Sequence, residues 1–176
     1  MGKPGRKSKA EDRRREIVQA VARCVREHGI GATSVAKFAR EAGVPTSLVF
    51  HYFGDRDALI LALIDYEIEK FDIIRREGLV DAPARDRLDR LLGYFLGGGF
   101  YEGFPDDGVI WSEITAISGR NEAVRERLSR MWADWLAEID DLLAAAYPAC
   151  EASVRGAVAY GLVCIVEESY VLRIQG

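Results

Sequence analysis

Catalytic raw material is scarce in this chain of 176 residues. It has two histidines, His28 and His51, and three cysteines, Cys24, Cys150 and Cys164. No His-Glu-x-x-His pair that could hold zinc occurs, and no Gly-x-Ser-x-Gly nucleophile elbow. Gly97-Gly98-Gly99 lacks the following Lys and the preceding strand of a phosphate-cradling loop. These absences argue against an enzyme and against a metal or other cofactor. So few cysteines, odd in number, do not make a disulfide framework. Cys24 shares an apolar helix face with Ile17, Ala20, Val21 and Val25, so a reduced, cytoplasmic protein is expected. Long apolar runs are also missing. Ala157–Val166 is too short to cross a bilayer, so no membrane partner is expected. No apolar segment follows the N-terminal charges, as a secretory signal would require. Period-two alternation of β-branched residues is rare and helix formers dominate, which makes the expected fold class all-α.

Charge is present but uneven. Residues 1–56 carry twelve Lys or Arg against six Asp or Glu, whereas residues 57–176 carry twelve against twenty-two. A basic N-terminal third on an acidic remainder suggests a nucleic-acid module joined to something with another job. Residues 1–10 are expected to be a basic disordered arm with Lys3, Arg6, Lys7 and Lys9, and Arg13, Arg14 and Arg15 continue the charge. The arm is either a solvated tail or a phosphate or minor-groove contact that adds salt-dependent affinity.

The most informative stretch is Thr33–Asp57. Ser34 can cap a short helix, and Val35, Phe38, Ala39 and Ala42 form one apolar stripe at i, i+3, i+4 and i+7. Gly43 can take the positive φ that closes a helix, Val44 fills the angle that follows, and Pro45 suits the start of a second helix. Leu48, Val49 and Phe53 can anchor that helix, leaving Thr46, Ser47, Phe50, His51 and Tyr52 to face outward. Two helices at a Gly turn occur in many α-proteins. An outward face of hydroxyls, imidazole and aromatic rings, with almost no solvating charge, is what a helix in the DNA major groove needs.

The run Gly43-Val44-Pro45-Thr46-Ser47-Leu48-Val49-Phe50-His51-Tyr52-Phe53, followed by Gly54-Asp55-Arg56-Asp57-Ala58-Leu59, resembles the signature of the TetR family of transcriptional regulators. His51-Tyr52-Phe53 is most similar to the BetI-like, choline-responsive branch. Arg15-Glu16-Ile17 through Gly29-Ile30, with Thr33-Ser34-Val35, resembles the family's first helix and the approach to its second. The resemblance implies a helix-turn-helix domain over 11–56 and a ligand-binding and dimerisation domain over 57–176. It implies a homodimer on a palindromic double-stranded operator, most often a repressor released by a small-molecule effector. By position, Thr46, Ser47, Leu48 and His51 fall where the family reads bases, and Phe50 and Tyr52 where it meets a thymine methyl, sugar or phosphate. Arg56 falls where a cation meets a phosphate, and Ser34 and Val35 where the second helix touches the backbone. Leu48 and Phe50 replace the family's frequent Thr and Tyr, so each loses a hydroxyl and gains apolar reach toward a thymine methyl. A helical adaptor that binds protein instead of DNA is the alternative, with an enzyme on a helical scaffold a more distant one.

Periodicity gives eight helices, about 11–28, 34–42, 45–53, from Asp55 to near Gly78, 84–96, 109–118, 121–146 and 150–173. Asp81-Ala82-Pro83 and Phe104–Gly108 are the breaks between them. The second domain's aromatics are either plain core or pocket lining. Acids inside apolar runs are more unusual, because a buried carboxylate needs a partner. Glu113 is one, and Glu167-Glu168 are two more, of which one can face solvent while the other pairs with Arg155 or Arg120. The sharper expectation is a pocket for a cationic or aromatic effector, with Tyr94, Trp111, Glu113, Trp132, Trp135, Tyr160, Cys164, Glu167 and Tyr170 as candidates. Glu167 and Tyr170 align with an acid and an aromatic of the BetI-like branch. Gly156, Ala157 and Gly161 let helices approach closely. The chain stops at Gly176, after the eighth helix, so the last helix of the family's dimer interface is expected to be missing.

Overall fold

A computed structural model describes residues 6–77, 83–97 and 107–174; for 6–8, 74–77, 107 and 168–174 it describes the backbone alone. Eight helices occur among them: α1 Arg6–His28, α2 Val35–Glu41, α3 Thr46–Phe53, α4 Arg56–Glu77, α5 Ala84–Gly97, α6 Asp107–Ser118, α7 Glu122–Ala146 and α8 Ala152–Ile174. The described residues contain no strand, and the fold is all-α.

Two boundaries depart from expectation. α1 begins at Arg6, so residues 6–10 are the first turns of a helix and not a disordered arm. The helix breakers Gly2, Pro4 and Gly5 all precede Arg6, and the charged residues after it are good helix formers despite their shared sign. α6 begins at Asp107, inside a stretch expected to be loop; Phe104–Asp106 and Asp81-Ala82 lie outside the described residues.

The chain divides into two compact units, Met1–Glu67 with Val109–Val124, and Ile68–Gly108 with Arg125–Gly176. This is not a single cut after residue 56. The first unit takes in the first three turns of α4 and nearly all of α6, because their apolar faces complete its core. Ile17, Val21 and Val25 of α1, Leu59, Leu63 and Ile64 of α4, and Ile110 and Ile114 of α6 are all essentially inaccessible to solvent. Each such side chain contributes about 2 kcal/mol relative to exposure. Cys24 is buried among them as its helix face requires. In the second unit, Leu128, Met131, Trp135, Ile139 and Leu142 line one stripe of α7, and Leu88, Leu91 and Phe95 line one of α5. α5 packs against α8.

The turns follow from single residues. Ser34 caps α2, its hydroxyl accepting the Lys37 N–H at 3.3 Å. At the far end, Gly43 has φ 63°, the Val44 N–H donates to the Ala39 carbonyl at 3.0 Å, and the Gly43 N–H donates to the Arg40 carbonyl at 3.1 Å. That pair of bonds is a Schellman motif, and it fixes the chain direction into α3. Asp55 caps α4, accepting the Ala58 N–H at 2.8 Å.

Candidate nucleic-acid interface

α3 has eight residues, and two of them hold it down. Val49 and Phe53, one turn apart, are 1% and 7% exposed. The opposite face carries Ser47, Phe50 and His51, all exposed, at the i, i+3, i+4 spacing of one helix side. Phe50 is 46% exposed, although burying its ring would be favourable. Thr46, Leu48 and Tyr52 flank this face and are half-buried. His51 and Tyr52 meet edge to face at 5.4 Å. Leu48 is therefore a rim residue and not the full anchor that its side chain suggested. On α2, Ser34 is exposed and Val35 half-buried at the helix start, with Phe38 and Ala39 beneath in the core.

Arg14 clamps the end of α3. Its Nη1 donates to the Tyr52 carbonyl at 2.9 Å, and its guanidinium lies 4.5 Å from the centre of the Phe53 ring. A cation at a helix C-terminus favours the dipole and supplies a donor to an orphan carbonyl. The sequence suggests for Arg14 either a solvated charge or a phosphate contact, because nothing local reveals a partner 38 residues away. Arg15 lies over the Tyr66 ring at 5.6 Å. Arg13 pairs with Glu16 at 2.7 Å. Two further pairs tie α1 to its neighbours: Arg23 to Glu41 of α2 at 3.3 Å, and Arg26 to the buried Glu67 of α4 at 3.7 Å.

The connection between α1 and α2 is held from three directions. Gly29 closes α1 at φ 76°. The buried Thr33 hydroxyl bonds back to the carbonyls of Gly29 and Ile30, at 3.1 and 2.9 Å. Arg56 Nη2 donates to the Ile30 carbonyl at 2.7 Å and to the Thr33 carbonyl at 3.5 Å. The Ile30 N–H donates to Glu113 Oε2 of α6 at 3.0 Å. Arg56, expected to face a phosphate, thus has at least one nitrogen committed to this connection.

The nine candidate effector residues do not form one cluster inside either unit. Trp111 and Glu113 belong to the first, and the Glu113 carboxylate receives a backbone N–H. Tyr94, Trp132, Trp135, Tyr160, Cys164 and Glu167 belong to the second; the side chain of Tyr170, like that of Glu168, lies outside the described residues. Tyr160 is 64% exposed, unlike a pocket wall. Cys164 and Glu167 are half-buried. Arg155 forms a two-point pair with Asp140, at 2.8 and 3.1 Å.

What does converge is an aromatic cluster. Trp135 has Phe71 at 5.3 Å in an edge arrangement, Phe95 at 5.4 Å and Trp132 at 5.7 Å, and Tyr94 meets Phe95 at 5.3 Å. Phe71 and Phe95 were not among the candidates. Trp135 is 1% exposed, and its Nε1 has no hydrogen-bond partner among the described residues. Burial pushes the Tyr94 hydroxyl above its ordinary pKa. Separately, a groove of about 490 Å³ between the start of α5 and α7 is lined by Ala84, Arg87, Asp134, Glu138 and Asp141, among others; no candidate residue with a described side chain lines it. No group of acids, histidines and cysteines fit to hold a metal occurs among the described residues. No helix among them is long and apolar enough to cross a membrane.

Comparison with known proteins bears on this geometry. Residues 17–63 match the family model described as bacterial regulatory proteins, tetR family. The chain is 35% identical over 82 residues to the HTH-type transcriptional regulator BetI of Brucella anthropi, covering 46% of this chain and 42% of that protein. It is 35% identical over 110 residues to the HTH-type transcriptional repressor Rv1474c of Mycobacterium tuberculosis, covering 59% of each. It therefore spans about half the length of the curated relatives it matches. Among solved structures, a TetR transcription regulator from Haloarcula marismortui superposes with a TM-score of 0.84 at 23% identity, over 94% of this chain and 87% of that one. A transcriptional regulator from Saccharomonospora viridis, solved in complex with choline, gives 0.80 at 19% identity, again over 94% and 87%. At such identities these two likenesses concern the fold.

Proposed function

Because the chain belongs to the TetR family of bacterial regulatory proteins and carries a BetI-like helix-turn-helix, we propose that it is a cytoplasmic, sequence-specific transcriptional regulator. It acts as a repressor that leaves its operator when a small molecule binds. The observation that carries this reading is the outer face of α3, where Phe50 and His51 stand exposed on a helix anchored by Val49 and Phe53. On duplex DNA, Thr46, Ser47, Leu48 and His51 contact base edges and Phe50 meets a thymine methyl. Tyr52, Ser34, Val35 and Arg56 contact the backbone and fix the register.

The operator is palindromic because the reader is a homodimer. α8 is apolar on two sides: Ala159, Val163 and Val166 are buried, while Val154, Val158 and Ile165 are 51%, 42% and 53% exposed. With Gly161, the exposed residues form a stripe at 154, 158, 161 and 165, the spacing of a helix that meets another helix. Twofold pairing then sets two α3 helices about 34–36 Å apart, one turn of duplex. The effector is bound in the second unit at the aromatic cluster around Trp135, whose rings suit a cationic or aromatic molecule. A choline complex of a protein of the same fold favours the cationic choice. The effector weakens DNA binding only through its preference for the state with the wrong spacing.

Selection of bound duplexes from a random-sequence pool tests the core of this reading. The expected product is a palindromic consensus bound by a dimer. A pool that shows no enrichment at low ionic strength overturns it. Calorimetry with a series of quaternary amines and neutral aromatics tests the effector class, and heat only from neutral compounds removes the cationic choice.

A further inference from the structure

Glu113 lies outside the stretch that matches the family model, although its partner Ile30 lies inside it, and the role proposed for the recognition helix does not use their contact. It joins residues 83 positions apart in sequence. The peptide groups around Ile30 are held on both sides. The N–H meets a carboxylate at 3.0 Å, and the carbonyl of the same residue meets the Arg56 guanidinium at 2.7 Å. The approach is tight: a side chain at Gly29 would put its Cβ 3.0 Å from Glu113 Oε1. Bonds to charged groups are the strong ones, and hydrogen bonds that share a polar chain reinforce one another.

Arg56 begins α4 two residues after Gly54, which closes the recognition helix at φ 84°. A guanidinium is planar and its donors form a rigid fork. Once the Ile30 carbonyl takes Nη2, the direction of the remaining donors is set. A phosphate at the foot of α3 therefore meets an Arg56 whose aim depends on the Ile30 connection, which depends in turn on α6.

We propose that Glu113 is a positioning residue for DNA binding, acting through the Ile30 connection to aim Arg56 at the backbone of the duplex. The proposal rests on the DNA-binding reading above. Glu113 itself touches no DNA.

The test uses the full chain and the duplex recovered by selection, with affinity measured by fluorescence anisotropy over a range of salt concentrations, well below the melting midpoint of every variant. Glu113→Ala is expected to weaken binding about tenfold and to lower the slope of log affinity against log salt by about 1, the signature of one lost phosphate contact. Arg56→Ala is expected to do the same, and the double variant to bind no more weakly than Arg56→Ala alone. Glu113→Gln keeps an oxygen acceptor for the Ile30 N–H, so it is expected to fold and to retain the wild-type salt slope. It serves even if the alanine variant does not fold, because a slope lowered to the Arg56→Ala value in Glu113→Gln contradicts the mechanism. Wild-type affinity and slope in Glu113→Ala, or effects of the two alanine changes that add, overturn the inference and leave the DNA-binding reading standing. Recovery of no duplex overturns that reading and this inference together.

Discussion

Replacing Gly29 by Ala gives a sharp test of the α1–α2 connection, because the chain supplies its own control. Gly29 and Gly43 both close helices with positive φ, 76° and 63°. A left-handed backbone costs a residue with a Cβ about 1–2 kcal/mol, partly offset by about 0.4–1 kcal/mol from the stiffer unfolded chain. At Gly43 that is the whole effect, since a Cβ there meets nothing within 4 Å. At Gly29 the new Cβ lies 3.0 Å from Glu113 Oε1, so the carboxylate must give by a few tenths of an ångström, which strains its bond to the Ile30 N–H. A hydrogen bond to a charged group is worth about 1.5–3 kcal/mol, and straining it adds about 1 kcal/mol of that. Gly29→Ala should therefore destabilise by about 2 kcal/mol in all, a fall in melting temperature of about 6 °C for a chain of this size. Gly43→Ala should cost about 1 kcal/mol. Urea and thermal unfolding followed by circular dichroism measure both. In a Glu113→Ala background the excess at Gly29 should vanish, because the obstructing carboxylate is gone. Equal losses from the two glycine changes, or an excess at Gly29 that survives removal of Glu113, would refute the reasoning.

Three further outcomes follow from single contacts. Ser34→Ala removes the acceptor of the Lys37 N–H, a long bond at 3.3 Å, and should lower stability by about 0.5–1 kcal/mol in the same unfolding assay. Phe50→Ala should leave the melting temperature nearly unchanged, since the ring is 46% exposed, yet weaken binding to the selected duplex about tenfold by loss of an apolar base contact. Cys24 bears on alkaline stability: burial first, then Glu41 and Glu27, holds its thiol above the ordinary 9.0 against the opposing pull of Lys37 and Arg40. The folded state therefore keeps this proton more tightly than the unfolded state, so the contribution is whole below pH 9.0 and is lost as pH rises toward the folded value. Cys24→Ala should flatten that decline in a plot of unfolding free energy against pH; an unchanged slope would show that the thiol does not titrate through folding.

The helix-turn-helix was legible because each of its signals is local. Ser34, Gly43 and Pro45 act within four residues of their own positions, and α2 and α3 begin and end within one residue of where those signals put them. The start of α1 was misjudged because like charge suggested a solvated tail, whereas backbone propensity after Gly5 decided the outcome. Glu113 announced itself as an acid in an apolar run, but its partner lies far away in sequence and is a backbone N–H, which leaves no compositional trace. The same blindness hid the bond from Arg14 to Tyr52. In the second unit, helical spacing marked the aromatics without telling which of them meet. Trp135, Phe71 and Phe95 do. Tyr160 is exposed on α8, a helix apolar on two sides, where periodicity cannot separate a side meant for a partner from one meant for the interior.

The sparse attachment of α3 has a practical consequence. Its deepest hold on the rest of the unit is through two inward side chains and one backbone carbonyl, Val49, Phe53 and the oxygen that Arg14 grips. The lettering on the other side, Ser47, Phe50 and His51, can be rewritten without disturbing those anchors. Such a segment behaves as an exchangeable cassette: a library varied at those three positions should yield proteins that melt alike and answer to different DNA words.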